Sequence, residues 1–447
     1  MCRFTRKIKR EKLKEINPFN ELFNIINQYF PSFFNWLDNL TDTRNQSYIT
    51  YELKVCIFFR ILAICSGCNS MCELNRDFNT DEAIANINLL FNKNYVELPH
   101  KDTLRNIIND LNHQELEKIQ LLMIKKMIKN KMFDKYRFNG MFHIVLDGTG
   151  LYSSRMNLGE KALTKTHNKD TDQEYTEYFH YVLEAKIICG NLTFSFASEF
   201  VENETYKDKN GVEQRRFNKQ DCELKAAYRL LDKIKKNFPK LPIIIGVDAL
   251  YMGKPFINKC QKLNFEYIVR CKKSEETSLM KEFNSTKTTS DNYSYSNEIL
   301  YGEATSKDSF NINIVEFNEE FINKKTNKTE IKEFTYITSL QVTEKIKEDL
   351  ITLGRNRWKI ENKGFKEQKS NDSFNITHIY TKDAVGTQNT YLLIQIAHTF
   401  INLLNYGHCL ISELRLTKKE VMTYIKKVIT STIINLIKPT TIQLRFL

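Results

Sequence analysis

No stretch of this chain of 447 residues is apolar for long enough to cross a bilayer. Residues 55–65 and 391–404 come nearest, but Arg60 interrupts the first and Gln395, His398 and Asn402 interrupt the second. A secretory signal is not expected either, since the basic start runs into Asn17, Pro18, Asn20 and Glu21 instead of an apolar segment. Nor is there a disulfide framework. The 10 cysteines are scattered, which predicts reduced thiols in a cytoplasmic protein. Cys65, Cys68 and Cys72 have close spacing, yet no second CxxC and no nearby His completes a tetrahedral set. Buried thiols at a helix end are the preferred reading of this trio, and zinc is the other.

What is present describes a folded chain. A 41% hydrophobic and 12% aromatic content, over this length, suffices for two or three domains with a sizeable core. Lys and Arg number 66 against 54 Asp and Glu, a formal charge of +12. Arg3, Arg6, Lys7, Lys9, Arg10, Lys12 and Lys14 make the start a basic arm. That excess favours a polyanionic partner. The chain is rich in Lys, Asn and Ile throughout, so charge alone does not establish the partner.

Residues 1–138 read as a helical domain, with apolar positions at three and four in residues 19–30, 52–65, 103–111 and 115–131. Residues 99–112 and the helix after them suit either a DNA-reading helix-turn-helix or a plain bundle. The character changes at Phe142. FHIVLD (142–147), closed by Gly148, is followed by strand-like runs at 178–189 and 192–201 with a turn at Gly190 and Asn191, so three hairpin-joined strands are predicted. A helix over 219–238 follows, with Asn218 as N-cap and Asp221 in its first turn. PIIIGVD (242–248) is a strand of the kind covered on both faces, and a helix over 254–263 and a strand over 267–271 come next. This order predicts an α/β ribonuclease-H-like core over 139–273 and 340–406, interrupted by a β-rich insertion at 274–339 with strands at 292–301, 310–317 and 333–337. Helices at 390–404 and 417–437 close the chain, the C-terminal helical segment being 407–447.

In such a core the first and fourth strands lie side by side and parallel, so Asp147 and Asp248 emerge together at carboxyl strand ends, where ligands of open α/β sheets gather. A third carboxylate, Glu361, lies in RNRWKIENKGFKEQK (355–369). At 100° per residue, Arg357, Glu361 and Gln368 share a helical face beside an apolar strip of Trp358 and Phe365. Read alone, Arg357 and Glu361 form an ordinary i,i+4 surface pair. Together the three carboxylates suit a pair of hard divalent cations, Mg²⁺ or Mn²⁺, for in-line displacement at phosphorus. Arg357 and Lys369 would neutralise the phosphate. Glu199, Glu202, Asp221 and Glu223 rank as structural or secondary, and His180 and His378 as core histidines.

VLDGTG, YFHYVLEAKI, KQDCELKAAYRLLDKIKKNFPKLPIIIGVDALY and RWKIENKGFKEQK followed by ITHIY resemble the DDE transposases of bacterial insertion sequences, in the group with a β-strand insertion before the final Glu. The resemblance covers residues 142–406. It implies a metal-dependent enzyme that binds terminal inverted repeats of double-stranded DNA, hydrolyses the element's ends and joins the freed 3′-hydroxyls to a target, working as a homodimer on paired ends. Such an enzyme would be nucleoid-associated when bound to DNA. Carried over by position, the triad and metal ligands are Asp147, Asp248 and Glu361, with Arg357, Lys369, Lys366 and Tyr251 toward phosphate and DNA. Two positions depart from the family signature: Gly354 stands where a Tyr is expected three before the Arg, and Gln368 where a Lys is expected seven after the Glu, Lys369 being one step later. The insertion lacks the Trp with which some relatives stack a flipped base, and Tyr293, Tyr295, Tyr301 and Phe310 are read either as substitutes or as sheet packing. A nuclease on the same core without strand transfer, and a domesticated copy that only binds DNA, are the competing functions.

Overall fold

The computed structural model describes residues 5–159, 161–203, 205–207, 213–215, 220–271, 278–302, 309–323, 327–370, 373–434 and 444. Helices form first, wherever apolar residues recur on one face: α1 (Arg6–Ile16), α2 (Pro18–Tyr29), α3 (Phe33–Asp38), α4 (Leu53–Cys65), α5 (Met71–Asp77), α6 (Asp81–Phe91), α7 (Lys101–Asp110) and α8 (His113–Lys129). Polar side chains start them. Asn17 accepts from the amides of Phe19 and Asn20 ahead of α2, Ser70 caps α5 and Thr80 caps α6. In α4 every residue but Lys54 is buried, because other helices surround it.

The second half alternates strands and helices: β1 (Phe142–Ser154), β2 (Leu163–His167), β3 (Tyr175–Cys189), β4 (Leu192–Val201), a short pair β5 (Thr205–Lys207) and β6 (Glu213–Arg215), α9 (Glu223–Asn237), β7 (Ile243–Val247), α10 (Lys254–Lys262) and β8 (Glu266–Arg270). Then come α11 (Ser278–Thr286), β9 (Thr288–Ser290), β10 (Tyr293–Tyr301), β11 (Phe310–Ile322), β12 (Thr329–Thr338) and α12 (Lys347–Arg355). A π-helix at Ile360–Phe365 runs into α13 (Lys366–Lys369), and the long α14 (Ala384–Asn402) runs into a second π-turn at Leu403–Gly407 before α15 (Cys409–Glu413) and α16 (Lys418–Ser431). Among the described residues no helix is long and apolar enough to cross a membrane.

The main sheet has ten strands among the described residues, in the order β2-β3-β1-β7-β8-β12-β11-β10-β9, with β4 beside β3. β1 is antiparallel to β3 and parallel to β7, and β7 is parallel to β8. This is the strand arrangement expected of a ribonuclease-H-like core, preceded by a helical region and followed by C-terminal helices. Three expectations are corrected. β1 does not stop at Gly148 but continues to Ser154, so Asp147 lies within the strand, and β2 intervenes before β3. The helix expected from 219 begins at Glu223; Asp221 precedes it and pairs with Arg229 at 2.8 Å, while Asn218 falls outside the described residues. The insertion contains a helix, α11, and its strands extend the main sheet, β12 pairing antiparallel with the edge of β8. The N-terminal helices share one apolar core with the sheet domain. α14 joins them: it is buried from Gly386 to Asn402, Phe30 and Phe33 meet Phe400 at 5.8 and 5.1 Å, and the Asn389 amide donates to the carbonyls of Ile108 and Leu111.

Candidate active site

β1 and β7 are buried apolar runs whose pairing sets the site. Phe142 aligns with Ile243 and Val145 with Gly246, and the same register carried forward brings Asp147 level with Asp248. Asp248 leaves β7 as the cap of a 3₁₀ turn, its Oδ1 accepting from the Leu250 amide at 2.8 Å. Asp147 Oδ1 accepts from the Gly148 amide at 3.0 Å.

Glu361 arrives from the opposite layer. Ile360 and Phe365 pack with Val145 and Ile188, pinning the π-helix to the sheet, and Lys359 Nζ donates to the Gly190 carbonyl at 2.7 Å. Arg357 Nη1 then lies 2.6 Å from Glu361 Oε1 and 3.3 Å from Asp147 Oδ2. One guanidinium therefore bridges the strand carboxylate and the helix carboxylate. Burial pushes the Asp147 carboxyl up to about 7; Arg357 opposes the rise, while Glu361 and Glu223 add to it.

The π-helix also resolves the late lysine. A π-turn uses one more residue than an α-turn, so the position two turns beyond Glu361 is reached at Lys369 and not at Gln368. Gln368 turns inward instead, exchanging amide hydrogen bonds with Gln395 at 2.9 and 3.1 Å. The expected shared face of Arg357, Glu361 and Gln368 is thus corrected, as is the apolar strip: Phe365 is buried but Trp358 is 54% exposed beneath the Lys332 ammonium, 4.9 Å away. Lys369 lines an open groove of about 630 Å³ with Asp147, Thr149, Glu361, Asn362 and Lys366. Gly354, in place of the expected Tyr, is explained by space, since a Cβ there would come within 2.5 Å of the Tyr336 ring.

Tyr251, expected to face DNA, is placed inside: it is 1% exposed and its hydroxyl donates to Glu223 Oε1 at 2.6 Å. Tyr181 donates to the other oxygen of Glu223 at 2.7 Å. Glu223, secondary by sequence, is brought beside Gly148 only by folding. Tyr293 packs on Phe317 at 4.7 Å and Tyr301 on Phe310 at 5.6 Å, ring contacts within the sheet. His180 is buried against Tyr152, and His378 lies 4.7 Å from the Tyr380 ring.

The donor set suits hard divalent cations, being all carboxylate oxygen, and a cationic group, Arg357, already sits between two of its members. The three carboxylates do not all lie within 4.8 Å of one another; among the described residues the grouping that tight is Cys68, Glu73 and Asp77. There the Lys426 ammonium bonds both acids, and burial raises the Cys68 thiol to about 12, which disfavours a thiolate ligand. Cys65 is buried as well, and Cys72 is exposed.

The family profile described as transposase DDE domain matches residues 216–400, and that of the segment associated with this domain matches residues 34–122. The chain belongs to the DDE transposases. It is accordingly an enzyme of DNA phosphodiester hydrolysis and transesterification, from a family that works with divalent metal ions on DNA. Asp248 and Glu361 of this transposase fall inside the matched region, and Asp147 lies ahead of it. No curated protein matches the sequence. A solved structure, piggyBac transposase in a synaptic complex with hairpin DNA, is similar with a TM-score of 0.36 and 10% identity over 92% of this chain and 80% of that one, too loose a likeness to argue from.

Proposed function

We propose that this transposase moves an insertion sequence by cut and paste, cleaving at terminal inverted repeats and joining the 3′-ends to target DNA, with Asp147, Asp248 and Glu361 as the catalytic carboxylates. The observation that carries the proposal is the Arg357 bridge between Asp147 and Glu361, with Asp248 level with Asp147 on the next strand. These carboxylates would hold two Mg²⁺ or Mn²⁺ ions. When bound, such ions activate the attacking oxygen and stabilise the leaving one during displacement at phosphorus.

The chain's own groups do the rest. Asp147 and Asp248 present oxygens from a rigid sheet, while Glu361, on the groove's surface, closes from the helix side. Arg357 exchanges its carboxylate partner for a phosphate oxygen, which suits its planar fork of donors. Lys366 and Lys369 line the groove and neutralise the DNA backbone. In cleavage a water oxygen bonds to phosphorus as the 3′-oxygen leaves; in transfer that 3′-hydroxyl attacks a target phosphodiester and displaces the target's own 3′-oxygen. Each reaction consumes one phosphodiester bond, and transfer makes another. The domains follow the boundaries 1–138, 139–273 with 340–406, 274–339 and 407–447, and a homodimer pairs the two ends.

The test uses the DNA that flanks the coding region. The full chain with Mg²⁺ or Mn²⁺ should nick it at inverted repeats and join a pre-cut 3′-end to a plasmid. Cleavage without joining would leave a nuclease, and binding without any metal-dependent product would leave a DNA-binding protein.

A further inference from the structure

Glu223 opens α9, and a glutamate in the first turn of a helix has an ordinary explanation in the helix dipole. Its geometry goes further. The side chain does not cap the helix: it is drawn sideways, each oxygen taking a hydrogen bond from a tyrosine, Tyr181 of β3 at 2.7 Å and Tyr251 at 2.6 Å. Both tyrosines belong to the site's own framework. Tyr251 ends the 3₁₀ turn that Asp248 caps, and Tyr181 is the β3 residue paired with Gly150, three along from Asp147. The clasp aims the carboxylate at Gly148. A Cβ built on Gly148 would lie 2.2 Å from the Tyr181 hydroxyl and 2.5 Å from Glu223 Oε2, so the missing side chain lets the hydroxyl and the carboxylate together approach the strand beside Asp147.

Charge supplies the second line of argument. Among the described residues neither Glu223 nor Asp248 forms an ion pair, whereas Asp147 and Glu361 share Arg357. Glu199 and Asp221, on neighbouring segments, are both satisfied by Arg229. Unpaired carboxylates gathered at one partly buried place are costly unless a cation joins them. We infer that Glu223 is a fourth carboxylate of the metal site, reaching it past Gly148 and held in aim by Tyr181 and Tyr251.

This rests on the assignment of Asp147, Asp248 and Glu361 as metal ligands, and the test separates the two. Mn²⁺ alone is titrated into the full chain without DNA, and free Mn²⁺ is read by electron paramagnetic resonance for wild type, Glu223→Gln, Asp248→Ala and Tyr181→Phe, with melting temperature recorded for each. Glu223→Gln keeps the shape and can still bond both hydroxyls, and is expected to weaken Mn²⁺ binding about tenfold or more. Tyr181→Phe removes one of the two hydroxyls that hold the carboxylate in aim, and is expected to weaken Mn²⁺ binding about tenfold without lowering the melting temperature. If Glu223→Gln binds as wild type while Asp248→Ala does not, Glu223 is only a structural clasp and the inference falls alone. If neither weakens binding, the site assignment falls with it. If Glu223→Gln proves unstable, Tyr181→Phe decides: Mn²⁺ affinity equal to wild type in that variant, with the melting temperature unchanged, overturns the inference that the clasp holds a ligand in aim.

Discussion

The parallel register of β1 and β7, carried forward, sets Asp248 level with Asp147, and each accepts a backbone amide on its Oδ1. Asp248→Ala should therefore reduce nicking by about three orders of magnitude or more, the scale of removing an essential group. Filter binding of the same variant should retain salt-dependent affinity for DNA. Residual cleavage near wild-type rate would refute the role given to Asp248.

Arg357 serves two carboxylates and, by proposal, the phosphate. Arg357→Lys keeps the charge, but both carboxylate contacts, made through Nη1 alone, must be re-formed by a differently shaped ammonium that lacks the planar donors suited to a phosphate. Its nicking rate is expected to fall about a hundredfold, a loss of roughly 3 kcal/mol at the transition state. Single-turnover kinetics on pre-bound DNA make the check, since a pure binding defect would leave that rate unchanged.

Adjacent residues in α13 should fail in different ways. Lys369→Ala should leave the melting temperature alone while lowering the slope of log affinity against log salt by about one. Gln368→Ala should instead cost about 1 to 3 kcal/mol of stability, because it strips the buried Gln395 Nε2 of its acceptor, Lys186 remaining on Oε1. Denaturation curves and salt titrations of both variants settle the assignment. A reversal of the two phenotypes would mean that the π-turn does not shift the register.

The last turn before the C-terminal helices contains a pH-sensitive contact. Burial would raise the Glu367 carboxyl, but His398, 4.0 Å away, and the ammonium of Lys418 bonded to it overrule that and hold the group at about 2. Lys418, fully enclosed, is itself brought down to about 8 by burial despite the same partner. A carboxylate whose folded value lies below its unfolded one stabilises the fold above about pH 4.5, and that contribution drains away as pH falls toward 2. Wild-type stability should thus drop by about 3 kcal/mol more than that of Glu367→Gln between pH 5 and pH 2, as read by chemical denaturation. Equal slopes for the two proteins would remove Glu367 as the cause.

A chelator tests the metal requirement. Excess EDTA should abolish nicking and joining while gel-shift binding persists, and added Mn²⁺ should restore both products. Cleavage that survives chelation would be incompatible with a carboxylate site of this kind.

The apolar run of β1, the continuous run of β7 and the three-and-four periodicity of the N-terminal helices were legible because burial writes itself into local pattern. Asp147, Asp248 and Glu361 could be picked out on that basis, each lying at a recognisable place on such an element. The π-helix was not legible. One extra residue in a turn depends on how Ile360 and Phe365 must reach Val145 and Ile188, and 100° periodicity carries no record of that demand. Tyr251 looked available for DNA because an aromatic residue after a strand end gives no sign of which way it turns; packing turned it inward to Glu223.

Local pattern, then, determined which segments are strands and helices and the order that makes a ribonuclease-H-like core. Tertiary structure alone decided that Glu223 joins Gly148, that Arg357 spans two carboxylates, that Lys369 rather than Gln368 faces the groove, and that the insertion lengthens the sheet. The reason is range. Hydrophobic periodicity acts over a few residues, whereas ion pairs and strand registers between positions 210 apart, as Asp147 and Arg357 are, exist only after the chain has closed on itself.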